Sequence, residues 1–146
     1  MKDRQTPQWA DTLARCGLKV TGVDPAPTAP PLTAALYAVN GFEVRPTATI
    51  PLSLPQAAST LDETWHHHAS RAPLYDEHGG FLILPPGSGG TTIGWVHVLD
   101  PIGKNLPSRI AEVTGSPEFM ATSPNGRHLC AASVEEYEYW VVTHEF

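Results

Sequence analysis

Phe119-Met120-Ala121-Thr122-Ser123-Pro124-Asn125-Gly126-Arg127-His128-Leu129-Cys130-Ala131-Ala132 is the stretch whose reading decides the fold. Two apolar-rich runs flank Ser-Pro-Asn-Gly. Asparagine and glycine accept the backbone angles of a tight reversal, so the pattern predicts a β-hairpin. Downstream, Tyr139 to His144 predicts a further strand, with Ser133 to Glu136 expected to cap one helical turn before it. Upstream, Phe81 to Leu84 is a short apolar strand launched by His78-Gly79-Gly80. Pro85 to Gly90 reverses the chain into a strand over Thr92 to Leu99, which Asp100-Pro101 ends. Between these strands and the hairpin, Ser108 to Val113 is expected to form a short helix.

The first half reads differently. Trp9, Leu13 and Cys16 fall at i, i+4 and i+7, one stripe of a helix that Thr6 caps, Pro7 opens and Gly17 ends. Residues 22–31 carry four prolines in their last seven positions, which predicts a stiff extended connector. Leu32, Leu36 and Val39 predict a second helix closed by Asn40-Gly41. Phe42 to Ile50 alternates apolar and polar residues, and Pro46 within it predicts an edge strand. A third helix is expected over about 54–69, with Ser53 and Gln56 as a capping box and Leu54, Ala58, Leu61, Trp65 and His68 as its stripe. The expected architecture is α+β: N-terminal helices packed on a C-terminal, mainly antiparallel sheet. The Trp65 helix is expected to cross one face of the sheet, with the first two helices beside it. Trp9, Leu13, Leu36, Leu61, Trp65, Leu82, Leu84, Val96, Val98, Leu129 and Val141 form the expected core.

The chain has 146 residues and 15.8 kDa, which suits one domain over 1–146, a helical half to about 72 and a sheet half beyond. Proline is the compositional outlier at 15 residues, about twice the usual share, and it acts here as a turn-maker. Nine basic against 15 acidic residues give a formal charge of −6. No two Lys or Arg are adjacent, so the basic stripe that nucleic acid or an anionic membrane surface requires is missing. No apolar run is long enough for a transmembrane helix, and no apolar stretch follows Met1 to Gln5 as a secretory signal would. A cytoplasmic protein is the expectation. Cys16 and Cys130 belong to no CxxC pair, which predicts reduced thiols rather than a disulfide framework.

Three groups of residues could carry chemistry. His66-His67-His68 lies on the third helix. Consecutive helical positions are about 100° apart, so the three rings cannot converge on one ion. Asp62 with His66, and Glu63 with His67, have the i, i+4 spacing of helical ligand pairs, and His78 could supply a third group. Imidazole with carboxylate suits zinc or iron(II), so a small metal-dependent enzyme is the alternative reading. The competing structural reading is a helix terminus, where imidazolium meets the negative dipole end. The second group is Cys130 with His97 or His128, the minimum for a thiol nucleophile if neighbouring strands bring them together. The third is Val134-Glu135-Glu136-Tyr137-Glu138-Tyr139-Trp140, with three acids and three aromatics in seven residues. Tyrosine and tryptophan anchor interfaces, and adjacent carboxylates pair with basic groups on a partner. Pro85 to Gly90 has neither the GxGxxG spacing nor the Lys-Ser/Thr of a phosphate cradle, and no GxSxG elbow occurs.

Ile93-Gly94-Trp95-Val96, followed by the hairpin at Asn125-Gly126 and the acidic-aromatic terminal segment, resembles bacterial immunity proteins of the YrhB type. Pro31 to Gly41, with Leu36-Tyr37 and a terminal Asn-Gly, resembles the early helix of the SUKH superfamily, many of whose members are immunity proteins. The first likeness spans about 50 residues and the second 11, and Val96-His97-Val98 stands where the first pattern has an aromatic run. Neither resemblance carries defined catalytic residues across. The resemblance implies a protein that binds and neutralises a toxin. The expectation is thus a protein-binding module, an immunity-type inhibitor in its narrower form. Glu135, Glu136, Tyr137, Glu138 and Trp140 are expected to meet a basic protein partner, with no catalytic residue or cofactor assigned.

Overall fold

The computed structural model describes residues 7–22, 31–41, 44–86 and 93–146. Among them the chain forms an α+β fold of four helices and seven strands. In order these are α1 (Gln8–Arg15), β1 (Lys19–Gly22), α2 (Leu32–Asn40), β2 (Ala48–Pro51), α3 (Ala57–Arg71), β3 (Gly80–Ile83), β4 (Val96–Leu99), α4 (Leu106–Thr114), β5 (Phe119–Thr122), β6 (His128–Val134) and β7 (Glu138–Glu145). The strands make one sheet in the order β1-β4-β3-β5-β6-β7-β2, and every pairing is antiparallel.

The β5–β6 hairpin forms as its sequence predicts. Gly126 takes φ +74° and its N–H donates to the Ser123 carbonyl at 2.9 Å. The Asn125 side-chain oxygen accepts from Ser123 Oγ at 2.6 Å and from the Arg127 N–H at 3.0 Å, so the turn satisfies its own polar groups. Two first-half segments join the same sheet and form both of its edges. β1 pairs with β4, although no strand is expected between Gly17 and the connector that starts at Gly22. β2 pairs with β7 as an edge strand. It is shorter than expected, because Pro46 offers no N–H and pairing begins only where the Thr47 N–H reaches the Val141 carbonyl. Phe42, Glu43, Thr6 and residues 23–30 of the proline-rich connector lie outside the described residues.

The Ser53–Gln56 capping box does not form: α3 starts at Ala57, its N-cap is Gln56, and no side chain caps it. No helical turn occupies Ser133 to Glu136, because β6 runs on to Val134. Pairing with β7 through Val134↔Tyr139 takes those backbone groups instead.

Strand alternation divides the core between the two faces. On one face Val96, Val98, Phe81, Ile83, Phe119, Ala121, Cys130, Ala132 and Val141 meet Leu13, Leu61, Trp65 and Ile110 of α1, α3 and α4. Trp65 is 2% exposed; its ring lies 5.0 Å from that of Phe119, and its indole N–H donates to the Cys130 carbonyl at 3.3 Å. On the other face Leu82, Leu84, Leu129 and Ala131 meet Ala35 and Val39 of α2. The second helix therefore lies across the sheet from the first, not beside it. Of the expected core, Trp9 and Leu36 are only half-buried.

Polar links tie the layers. Asp62 of α3 is 6% exposed, and its carboxylate accepts from the Ser108 N–H at 2.9 Å and the Ser108 hydroxyl at 2.6 Å. An anion thus satisfies a free N–H in the first turn of α4. Arg109 donates to Asp100 at 2.7 Å, to the Cys16 carbonyl at 2.7 Å and to the Lys104 carbonyl at 2.6 Å. One guanidinium therefore joins α1, α4 and the segment after β4.

Candidate functional site

The β6–β7 hairpin carries the acidic-aromatic segment to one end of the sheet. The Glu135 N–H donates to the Glu138 carbonyl at 2.9 Å and closes the turn over Glu136 and Tyr137. Ser133 Oγ holds Glu135 Oε2 at 2.5 Å, and the Trp140 indole N–H holds Glu138 Oε2 at 2.5 Å. Glu118, just before β5, accepts from the Val134 N–H at 3.2 Å and adds a fourth carboxylate. From the neighbouring edge strand, the Leu52 N–H donates to the Tyr137 carbonyl at 3.0 Å.

The tip therefore has a fixed backbone and outward side chains. Tyr137 is 75% exposed, Glu136 is exposed, and Val134 and Leu52 are exposed beside them, with exposed Leu54 two residues beyond Leu52 in the chain. Among the described residues, none of Glu118, Glu135, Glu136 and Glu138 is in an ion pair. Alternation splits the aromatics. Tyr139 packs against the core, whereas Trp140 is half-buried on the opposite face. Of the five residues expected to meet a partner, Glu136 and Tyr137 have side chains with no hydrogen bond or ion pair among the described residues. Glu135, Glu138 and Trp140 shape it. Glu118 and Leu52 were not legible as part of this surface, because only strand pairing brings them there.

The residues of the metal reading are not brought together. Asp62 is committed to Ser108, while Glu63, His66 and His67 are exposed on α3. His78 lies on an exposed turn, 3.6 Å from Glu77. Among the described residues, no three His, Cys, Asp or Glu side chains are grouped to hold an ion. His68 instead turns toward a cavity of about 300 Å³ that Arg71, His128 and Glu145 also line. Burial, then His67 and Arg71, push its pKa below the usual imidazole value, which disfavours a charged His68 at the helix end.

Topology separates Cys130 from His97, whereas His128 lies two residues from Cys130 on β6. β3 and β5 stand between β4 and β6, and Cys130 faces α3 while His97 points from the other face. Cys130 is buried and its Sγ lies 3.9 Å from the Trp65 carbonyl. Burial raises its pKa far above the usual thiol range, so the thiolate a nucleophile needs is disfavoured. His97 has other partners. Its Nδ1 is hydrogen-bonded to the Thr21 hydroxyl, and its Nε2 lies 3.3 Å from Asp76 Oδ2.

No family model, curated protein or solved structure matches the chain. Among the described residues, no helix is long and apolar enough to cross a membrane.

Proposed function

We propose that the protein is a binding module that holds a basic protein partner at the β6–β7 tip. The observation that carries this reading is the exposed Tyr137, held on a closed turn among Glu118, Glu135, Glu136 and Glu138 and flanked by exposed Leu52. An aromatic on a fixed backbone loses less conformational entropy on docking than one on a mobile loop, and carboxylates that are in no ion pair among the described residues attract and orient basic groups. In the narrower form implied by the sequence resemblance, the partner is a toxin and binding neutralises it.

The test is parallel capture from the native lysate, at low and high salt, with the wild-type chain and a Glu136→Lys/Tyr137→Ala variant. Both altered side chains point outward, so the fold is expected to survive, as circular dichroism would check. The expected result is a basic protein retained by the wild type, released by salt and not retained by the variant. A partner held equally by both chains would overturn the assignment of the tip.

A further inference from the structure

We propose that Thr21, His97 and Asp76 form a hydroxyl–imidazole–carboxylate relay that makes Thr21 an acceptor for acyl groups from small activated esters. The relay lies on the β1–β4 edge, at the other side of the sheet from the β7–β2 edge that bears the partner-binding tip. It goes beyond the binding function and stands or falls independently of it.

The geometry is built from three separate stretches of chain. The β1–β4 ladder slips between Val20 and Gly22, and Thr21 sits at that irregularity. Bulges re-aim side chains, and here the threonine hydroxyl is exposed and bonded to His97 Nδ1. Asp76 is fixed by its own turn: Oδ1 accepts from the His78 N–H at 2.9 Å and the Gly80 N–H at 2.8 Å. Its second oxygen, Oδ2, is left facing His97 Nε2 at 3.3 Å. Gly80 makes room for this contact. A Cβ there would stand 2.6 Å from Cε1 and Nε2 of the ring and 3.0 Å from Asp76 Oδ2.

Hydrogen bookkeeping sets the direction of the relay. Burial alone would raise the Asp76 pKa, but the Gly80 and His78 N–H groups and His97 outweigh it and hold the carboxyl below its usual value. Asp76 is then an acceptor only, so His97 presents N–H at Nε2 and, in the neutral ring, a lone pair at Nδ1. The Thr21 hydroxyl must donate to that lone pair, the arrangement in which a base activates a hydroxyl nucleophile. The His97 carbonyl lies farther from Thr21 Oγ1, at 3.2 Å, as a second acceptor for the same hydrogen. The ring side chain is 29% exposed and that of Asp76 30%, so a small solute can reach the site.

The reaction is an acyl transfer without redox change. Thr21 Oγ1 forms a bond to the ester carbonyl carbon while its proton passes to His97 Nδ1. The bond from that carbon to the leaving oxygen breaks, and the leaving alcohol or phenol takes the proton from Nδ1. Water then attacks the Thr21 ester by the same path in a slower step, so that the acetyl group accumulates before the Thr21 hydroxyl is restored and a carboxylic acid released. Asp76 is a positioning residue, which holds the ring and stabilises the imidazolium.

The test uses p-nitrophenyl acetate and the full chain, reading p-nitrophenol release together with intact-protein and peptide mass. The expected result is one acetyl group, mapped to Thr21. Thr21→Val should abolish it, whereas Thr21→Ser should retain it. Asp76→Asn should lower the maximal rate more than tenfold at an unchanged half-saturating ester concentration, which a loss of structure alone would not produce. Acetylation absent from the wild type, confined to other residues, or undiminished in Thr21→Val would overturn the proposal. The mapping on the wild type decides it even if a variant fails to fold.

Discussion

At the β1 edge of the sheet, polar side chains meet one another at the surface. Thr21, His97 and Asp76 are linked across three elements, and Arg109 ties α1 to the segment after β4. At the β2 edge, the polar groups near the hairpin tip are bonded only far enough to set the backbone, and Glu136 and Tyr137 face water. Both edges are short and broken, one by an irregular register and one by Pro51, which limits pairing with another chain. The difference between them is one of commitment. Side chains whose bonds are made within the fold contribute stability or preorganise chemistry. Side chains left unpaired on a rigid turn are available to a partner.

This contrast can be broken most severely at Arg109. Its ion pair with Asp100 is only 13% and 10% exposed, and Arg109→Ala would leave the Cys16 carbonyl without its donor and that carboxylate with the Ile102 N–H alone. Removing one partner of a buried pair costs about 3–5 kcal/mol, which urea unfolding would measure; a loss below about 1 kcal/mol would mean that the pair is not a tie. Asp62→Ala comes next. It leaves the Ser108 N–H unbonded at the start of α4, at an expected cost of about 1–3 kcal/mol.

A smaller effect is expected from pH at Asp76. Its pKa is lower in the folded chain than in the unfolded one, so its stabilising contribution is present above the unfolded value and is lost as pH falls through the folded value. The stability difference between wild type and Asp76→Asn should therefore shrink on acidification below about pH 4. A difference that stays constant from neutral pH down to about pH 2 would show that the carboxylate is not linked to folding. The smallest effect on stability belongs to the tip. Glu136→Lys/Tyr137→Ala should change unfolding free energy by no more than about 0.5 kcal/mol while removing partner binding. A large loss of stability would place these residues in the structural framework.

What the sequence made legible was local. The Ser-Pro-Asn-Gly turn, the Trp65 helix and the acidic-aromatic segment each carry their signal within a dozen residues. β1 was not legible, because Lys19-Val20-Thr21-Gly22 is too short to show alternation and becomes a strand only by pairing with β4. The position of α2 had a signal that helix periodicity did not use. Phe81 to Leu84 and Leu129 to Ala132 are apolar on successive residues, which requires cover on both faces of the sheet. The relay was out of reach for a different reason. Thr21, Asp76 and His97 are far apart in the chain, and the register that joins them is set by the whole β1-β4-β3 edge. Asp62 has helical spacing to His66, yet it reaches Ser108, a tertiary partner that spacing along one helix cannot reveal.

The central claim, that the unpaired tip rather than the committed edge meets the partner, is tested most directly by placing a photo-crosslinking residue at one site or the other. Two full-length chains would carry it at Tyr137 or at His78, which is also exposed but belongs to the turn that launches β3. After irradiation in native lysate, the account predicts a crosslink to one basic protein from position 137 and none from position 78. The same protein crosslinked equally from both, or from position 78 alone, would contradict it.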